Sequence, residues 1–547
     1  MKALNDMDMF ADMLLFNGKV VTVDAQDTIG EAVAIKFGKI LAVGSDNEVK
    51  PLTGSGTIVI DLKGRTVLPG LIDSHCHIAS YSEGMQRVMG VIDASHEAGV
   101  RSIADIQAKV AEQTKRKPKG EWINVVKEDD SKLLERRHPN KWDLDKAAPE
   151  HPVMVSTVGG HFSIVNSKAF ELAGITRDSP GPLGGRYERD PGTGELTGWI
   201  HERARQVLQP IAYGREPTLD EAKEGVQWMA QQYVASGLTC ASDGGIHQAV
   251  LIRGIQELAR TGELPIRMRM DLWCELMPHL AALGIGEGFG NNMVKINGIK
   301  IVADGAISAR TAAVAEPYLH RPDYLGELAI AREELRRIIM DGYAKGYRFA
   351  VHANGERAIE MFLDCIEEAQ EKYPRKDPRN RVIHCTVVNP RIIARIKRLG
   401  VLPTIFGQYP YYHGDKILPA FGAERLERMF AARSFLDAGI RVAAHSDHGA
   451  GPYPPLMGIH AMVNRRTAGG QPIGQSQRIS VMEAIRLYTT NAAYHLFEED
   501  QIGSIEPGKY ADMVILGKDI LTVPTETIMN VPIDMTMVGG KIVHQGA

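Results

Sequence analysis

From residue 237 onward, short apolar runs that end in polar residues alternate with stretches of helical periodicity. The runs are "GLTCASDGG", "IRMRMDLWCEL", "NGIKIVADGAIS", "YRFAVHANGE", "NRVIHCTVV", "VLPTIFGQY" and "IRVAAHSDHG". Each reads as a strand buried on both faces, the pattern of a parallel sheet covered by helices. Between them, segments such as "REELRRIIMDGYAKG" and "NPRIIARIKRLG" are amphipathic. With "TVLPGLIDSHCH" as the first strand, the alternation predicts an α/β fold, a (β/α)8 TIM-like barrel over residues 66–499.

The two ends of the chain echo each other. "DMLLFNGKVV" near the start and "DMTMVGGKIV" near the end each show a strand, a Gly-containing turn and a second strand, which predicts a hairpin at both places. Further strands flank them: "EAVAIKFGKILAVG" and "TIVIDLKG" in front, "ADMVILGKD" behind. The expectation is a small β-sandwich domain built jointly from residues 1–65 and 500–547; two separate hairpins capping the barrel are the alternative. About 150 residues follow the first barrel strand before the next, too many for one crossover. They hold strands of their own, "EWINVV" and "HPVMVSTVGGHFSIV", and the Gly/Pro-rich "DSPGPLGGRYERDPGTGELTG". Residues 84–232 therefore read as an insertion over the barrel mouth, a lid and specificity region, or else as a second domain remote from the chemistry.

Composition narrows the function classes. At 547 residues the chain can bury a large core, and Lys+Arg 63 against Asp+Glu 67 leaves a net charge of −4. Nothing in that balance suits nucleic acid or a membrane surface. The N-terminal "MKALNDMDMFADMLLF" carries three aspartates in its apolar stretch and makes a poor signal peptide. No uncharged apolar run approaches the roughly 18 residues of a membrane helix. The five cysteines form no CxxC pair and suit a reducing compartment, so a cytoplasmic location is expected. The expected partner is a small-molecule substrate, and a homo-oligomer is the ordinary state of soluble enzymes.

Barrel enzymes gather their chemistry at the C-terminal ends of the strands. Here those ends carry His75 and His77, then Lys300, His352, His384 and Asp447. A lone histidine ending a strand is ordinarily structural; recurrence on several strands of one barrel is what singles these out. Side chains two residues apart on a strand share a face, so His75 and His77 can meet one ion at about 2.0–2.1 Å. Asp447 is suited both to a metal and to moving a proton. Lys300 reads on spacing alone as a solvated or salt-bridged lysine; buried near metals it is able to react with carbon dioxide and become an anionic carbamate.

Seven segments together resemble the metal-dependent amidohydrolases, specifically the YtcJ-like branch (amidohydrolase family 3), over nearly the whole chain. They are "GRTVLPGLIDSHCHI", "GGHFSIVNSKAFELAGI", "IKIVADGAISARTAAVAEPY", "VHANGERAI", "VIHCTVV", "AAHSDHGAGPYPPLMGIHAMVNRRT" and "YTTNAAYHLFEEDQIGSIEPGKYADMVIL". The resemblance implies two divalent ions, usually zinc. His75, His77 and Asp447 would hold one, and His352 and His384 the other. An N-carboxylated Lys300, formed with carbon dioxide, would bridge them together with a hydroxide. The hydroxide attacks a metal-polarised carbonyl and Asp447 shuttles the proton. The chain departs from the family's usual pattern at Glu356 (commonly Asp), at Asn354 (commonly apolar), at His445 and His448, which flank "SD", and in "AISAR" before Arg310.

The leading expectation is a hydrolase of a C–N bond other than a peptide bond: an amide, N-acyl, N-formyl or cyclic amide. Deamination, or hydrolysis of an ester or carbamate, is open to the same site. So are iron or manganese redox chemistry and, last, a non-catalytic scaffold. Substrate contacts are expected from His161 in the insertion, from Arg310 as a bidentate partner for a carboxylate, and from Gln408 and His448. Tyr409, Trp122, Trp199 and Tyr187 read as pocket wall or as core. Cys76 lies between two side chains that face the mouth, so it must point into the layer between strand and helix. Cys76→Ala is expected to leave metal content per chain unchanged; loss of metal from a folded variant would overturn this strand phase.

Overall fold

The computed structural model describes residues 10–546 except 81, 97, 159, 183 and 213–215. Most of the N-terminal stretch weighed above as a signal peptide, residues 1–9, lies outside them. Eight parallel strands follow one another in chain order around the sheet. They are β1 (Leu71–Cys76), β2 (Leu238–Ile246), β3 (Arg267–Trp273), β4 (Val294–Val302), β5 (Phe349–Ala353), β6 (Arg381–His384), β7 (Leu402–Phe406) and β8 (Ala443–His445). Every apolar run of the alternation is one of these strands.

β8 returns to β1 through hydrogen bonds that include side chains. Ser74 Oγ donates to the Ala444 carbonyl at 2.6 Å, and the Ser446 amide donates to Asp73 Oδ1 at 3.1 Å. The Asp447 amide donates to the His75 carbonyl at 3.0 Å. Helices such as Leu219–Ala235, Arg332–Ala344 and Glu356–Lys372 lay their apolar faces on the outside of the strands and share one hydrophobic cluster with them. No helix among the described residues is long and apolar enough to cross a membrane.

The interior of the barrel is not apolar throughout. Asp271 on β3 pairs with the Arg381 guanidinium on β6 and accepts from Asn297 Nδ2 on β4 at 2.9 Å. Arg381 also donates to the Ser74 carbonyl at 3.1 Å. Arg348, just before β5, reaches Asn297 and the His495 carbonyl, and burial pulls its guanidinium down to about 10. These groups are almost wholly buried, and each charge is matched or hydrogen-bonded, as burial in a low dielectric demands.

Two sheets form the terminal domain. One joins Met13–Phe16, Ala32–Lys36, Lys39–Gly44 and Ile58–Asp61; the other joins Lys19–Val21, Ile29–Gly30 and Thr66–Pro69 to Met513–Leu516, Ile533–Val538 and Lys541–Gln545. They share a core in which Leu15, Val33 and Ile35 meet Val67, Met513, Ile515 and Met537. The two sequence echoes fold differently. "DMTMVGGKIV" is the expected hairpin, with Gly539 and Gly540 both at positive φ (55° and 74°), as a tight two-residue turn requires. "DMLLFNGKVV" is not: Met13–Phe16 belongs to one sheet and Lys19–Val21 to the other. There only Asn17 is left-handed (φ 57°), and the Gly18 amide bonds to the Glu31 carbonyl, so the chain crosses the sandwich instead of folding back. The expected first barrel strand also divides. Thr66–Pro69 pairs with both chain ends, and the barrel begins after Gly70. Buried ion pairs, Arg267–Asp512 at 2.7 Å and Arg269–Glu498 at 2.9 Å, pin the C-terminal segment to β3.

The insertion carries a mixed sheet of Ile92–Asp93, Ile123–Glu128, Val153–Thr157, Phe162–Val165, Gly185–Arg189 and Leu196–Glu202. Strand alternation gives it two buried faces. Val153, Val155 and Ile164 pack against helices Ile103–Thr114 and Lys141–Ala147, while Met154, Val165 and Ile200 pack against Ser167–Leu172 and Arg203–Ala212.

Gly70 sits where the two domains meet. A Cβ there would lie 2.1 Å from Thr239 Oγ1 on β2. Gly70→Ala is expected to lower stability by about 1–3 kcal/mol, the usual cost of overpacking, read as a lower midpoint in urea. An unchanged midpoint would mean the junction relaxes freely.

Candidate metal centre

The seam between β8 and β1 sets the geometry of the centre. Asp447 lies two residues past β8 with φ 51°, a left-handed conformation uncommon for a residue with a side chain and frequent at functional sites. It turns the carboxylate back onto β1. Asp447 Oδ1 stands 3.4 Å from His75 Nε2 and 3.3 Å from His77 Nε2, and ligand atoms of the three residues all lie within 4.8 Å of one another. Burial would raise the Asp447 carboxyl; facing His384, His75 and His77 outweighs it and holds the group well below the usual carboxylate range.

A second group stands beside the first. His384 ends β6 with φ 74°, and its Nε2 is 2.9 Å from His352 Nδ1. The His384 ring stacks on Phe406 (4.6 Å between centroids, 13° between planes) and lies 5.4 Å from the His75 ring. Burial, together with Lys300, pushes His75 well below its ordinary value and His352 down to about 3; burial, together with His352, pushes His384 well below its own. All three are therefore neutral imidazoles at ordinary pH, the form that binds a metal. Lys300 on β4 is 2% exposed, its Nζ is 3.2 Å from His75 Nε2, and it makes no ion pair among the described residues. Burial pulls its ammonium down to about 8.

The donor set fits divalent ions. Imidazoles and a carboxylate suit zinc and its neighbours. His75 Nδ1 and His445 Nδ1 are buried without a hydrogen-bond partner. Supporting contacts are in place as well. Asn354 Nδ2 lies 3.1 Å from His352 Nε2 and donates to the Gly305 carbonyl at 3.0 Å, and Thr386 Oγ1 donates to Asn354 Oδ1 at 2.6 Å. This departure from the family pattern thus holds a ring in place. His445 Nε2 stands 3.3 Å from His384 Nδ1, on the far side of that ring from His352. His445 ends β8, and that place at a strand end is the signal by which the sequence points to it.

The six expected ligands meet at the floor of a cavity of about 2150 Å³ between the barrel mouth and the insertion. Of the four expected substrate contacts, only His161 lines it. Gln408 is buried behind the wall, donating to the Ser446 carbonyl. His448 faces the helix layer, 2.8 Å from Glu83 and edge-on to Tyr453. Arg310 is exposed on a left-handed turn (φ 57°) outside the cavity. The wall also takes Trp122, Trp273, Phe406, Tyr409 and Ser308; Trp199 is held in the insertion by its Nε1 bond to the Pro139 carbonyl at 2.7 Å. Cys76 is buried in the strand–helix layer with Ala222, Val226 and Tyr233, and burial pushes its thiol well above the ordinary value.

A barrel with this floor is the architecture of a metal-dependent hydrolase. The amidohydrolase family matches residues 58–544, and the chain belongs to that family. It is 29% identical over 541 residues (96% of this chain, 98% of the relative) to YtcJ of Bacillus subtilis (strain 168), named an amidohydrolase with the assignment marked there as unproven. It is 27% identical over 553 residues (98% and 99%) to the N-substituted formamide deformylase of Arthrobacter pascens. Among solved structures it is similar to an uncharacterised metal-dependent hydrolase of Pyrococcus horikoshii OT3, with TM-score 0.75, 25% identity and coverage of 94% and 99%.

The site leaves no room behind β1. A Cβ on Gly244 of β2 would lie 1.9 Å from His75 Cε1. Gly244→Ala is expected to displace the ring and weaken metal affinity about 10–100-fold, the range seen when a ligand loses its support. Titration with a chelator, with the fold checked by circular dichroism, measures it. Unchanged affinity would show that His75 is not a ligand in this position.

Proposed function

We propose that the protein hydrolyses a C–N bond other than a peptide bond in a small molecule: an amide, N-acyl, N-formyl or cyclic amide. The observation that carries this reading is the Asp447 carboxylate, seated between His75 and His77 at the floor of the cavity. A relative over nearly full length that is named for removing a formyl group supports the same bond class.

On this reading His75, His77 and Asp447 would hold one divalent ion and His352 and His384 a second, with Lys300, N-carboxylated by carbon dioxide, as a further ligand. Zinc is the expected metal. Bound ions supply Lewis acidity and lower the pKa of a water. Asp447 Oδ1 takes the proton of the attacking water and delivers it to the leaving nitrogen as the C–N bond breaks. Lys300 enters the reading because it is a buried amine with no carboxylate partner, beside imidazoles that are already neutral. The cavity exceeds the roughly 300–1,000 Å³ of ordinary small-molecule sites, and Trp122, Trp273, Phe406 and Tyr409 offer apolar wall to a bulky substituent. A cytoplasmic location goes with the reading, supported by five free cysteines.

The test is a panel of N-acyl, N-formyl and cyclic amides, with esters, carbamates and aminoheterocycles alongside, offered to metal-loaded protein. Amide turnover is expected, with Asp447→Asn slower by about 10²–10⁴-fold. Lys300→Ala is expected to lose bound metal, partly restored by short carboxylic acids; full activity in that variant would remove the carbamate. Protein that holds no stoichiometric transition metal and gains no hydrolysis on adding it would overturn the whole reading.

A further inference from the structure

A donor without a partner stands in the cavity wall beside the metal centre. Trp273 ends β3, where it pairs in register with Lys300 on β4, and its side chain lines the cavity. The indole Nε1 makes no hydrogen bond among the described residues. It is not sealed from solvent either, in contrast to Asn124 Oδ1 and Ser80 Oγ of the same cavity, which are buried without partners. An indole N–H donates and never accepts, so this edge of the ring offers the cavity an unused donor.

Strand β2 is shaped to receive the indole. Gly244 pairs with Asp271 and Ile246 with Leu272, which leaves Gly245 as the extra residue of a bulge. Gly245 takes φ 128°, a conformation that suits glycine and strains other residues. A Cβ there would lie 2.9 Å from Trp273 Nε1 and 3.2 Å from Cε2. Its neighbour Gly244 gives the same clearance to the His75 ring. Two adjacent glycines thus seat an imidazole of the metal centre and the indole side by side.

We propose that Trp273 is a specificity-determining residue whose Nε1–H donates a hydrogen bond to an uncharged oxygen, a hydroxyl or a carbonyl, on an arm of the substrate flanking the scissile bond. The inference rests on the hydrolase reading above and narrows its substrate class. A substrate without that oxygen covers the N–H and leaves it unpaired, which is the kind of penalty that separates close analogues. The oxygen is uncharged because Glu275, two residues on, lines the same cavity and makes no ion pair among the described residues, so its carboxylate disfavours an anion there. Gly245 acts through the indole and is a positioning residue.

Matched amides test this with metal-loaded protein, in which a hydroxyl replaces the terminal methyl of the acyl arm or of the amine arm, over arms of increasing length. Wild type is expected to prefer the hydroxyl by about tenfold or more in kcat/KM in at least one arm. Trp273→Phe keeps a ring and loses the donor; it should bring that ratio to within about threefold, with bound metal per chain equal to wild type. Gly245→Ala, with the fold checked by circular dichroism, should narrow the same ratio. No preference in either arm, or a preference that survives in Trp273→Phe, overturns the proposal. A terminal carboxylate preferred over the hydroxyl, with that preference lost in Trp273→Phe, overturns the uncharged class. Binding is read apart from turnover by calorimetry with matched ketones, in which a methylene stands for the amide nitrogen. Equal affinity of the hydroxyl and methyl ketones for wild type overturns the Trp273 contact even where amides are hydrolysed. A hydroxyl preference that Trp273→Phe abolishes, with no turnover of any amide, overturns the hydrolase reading and leaves the contact standing.

Discussion

The bond from the Asp447 amide to the His75 carbonyl, at 3.0 Å, is the contact on which the centre depends. It joins two stretches of chain separated by more than 370 residues of sequence and sets how far the Asp447 carboxylate stands from the His75 and His77 rings. Around it the Ser74–Ala444 and Asp73–Ser446 bonds repeat the seam at the next levels of the barrel. Asp73 is fully buried, and burial pushes it up to about 7 against the hydrogen bonds from Ser446 and His75. A loosely closed barrel would spread His75, His77 and Asp447 apart. The tight seam and the left-handed turn at Asp447 are therefore one device.

Beneath the site, charge and hydrogen bonds take the place that aliphatic layers commonly hold in such barrels. Asp271 on β3, Asn297 on β4, Arg348 just before β5 and Arg381 on β6 bond across the interior. Breaking one partner of such a pair strands the other in a low dielectric, which costs about 3–5 kcal/mol. The network ties the interior faces of β1, β3, β4 and β6 to one geometry through directional bonds. It thus supports the floor that His75, Lys300 and His384 occupy.

Much of this was legible in the chain. Buried parallel strands announce themselves by apolar runs, and seven were readable as they fold, the first only in its second half, as was the recurrence of ligand-type residues at their ends. What was not legible depends on the phase of side chains past the strand ends. Gln408 and His448 sit next to cavity-facing neighbours, Tyr409 and Asp447, yet point into the wall, because a one-residue step changes the face a side chain presents. Arg310 lies in a loop, where no periodicity fixes direction. The "NG" and "GG" echoes looked alike, but a turn dipeptide does not reveal whether its flanking strands have other partners waiting in two different sheets. The polar barrel interior was hidden because Asp271, Asn297 and Arg381 are single letters within runs that otherwise read as strand.

The place of Thr66–Pro69 between Lys19–Val21 and Met513–Leu516 has a consequence for the order in which the molecule comes together. The strand that leads directly into β1 finishes its own sheet only when a segment more than 440 residues later reaches it. On a ribosome, Thr66–Pro69 and β1 emerge long before that segment is made. Contacts this distant in sequence are slow to form, because the loop they close must be ordered first. A segment made much later therefore locks the strand that leads into the barrel in place, and completion of this sheet is a late event in folding.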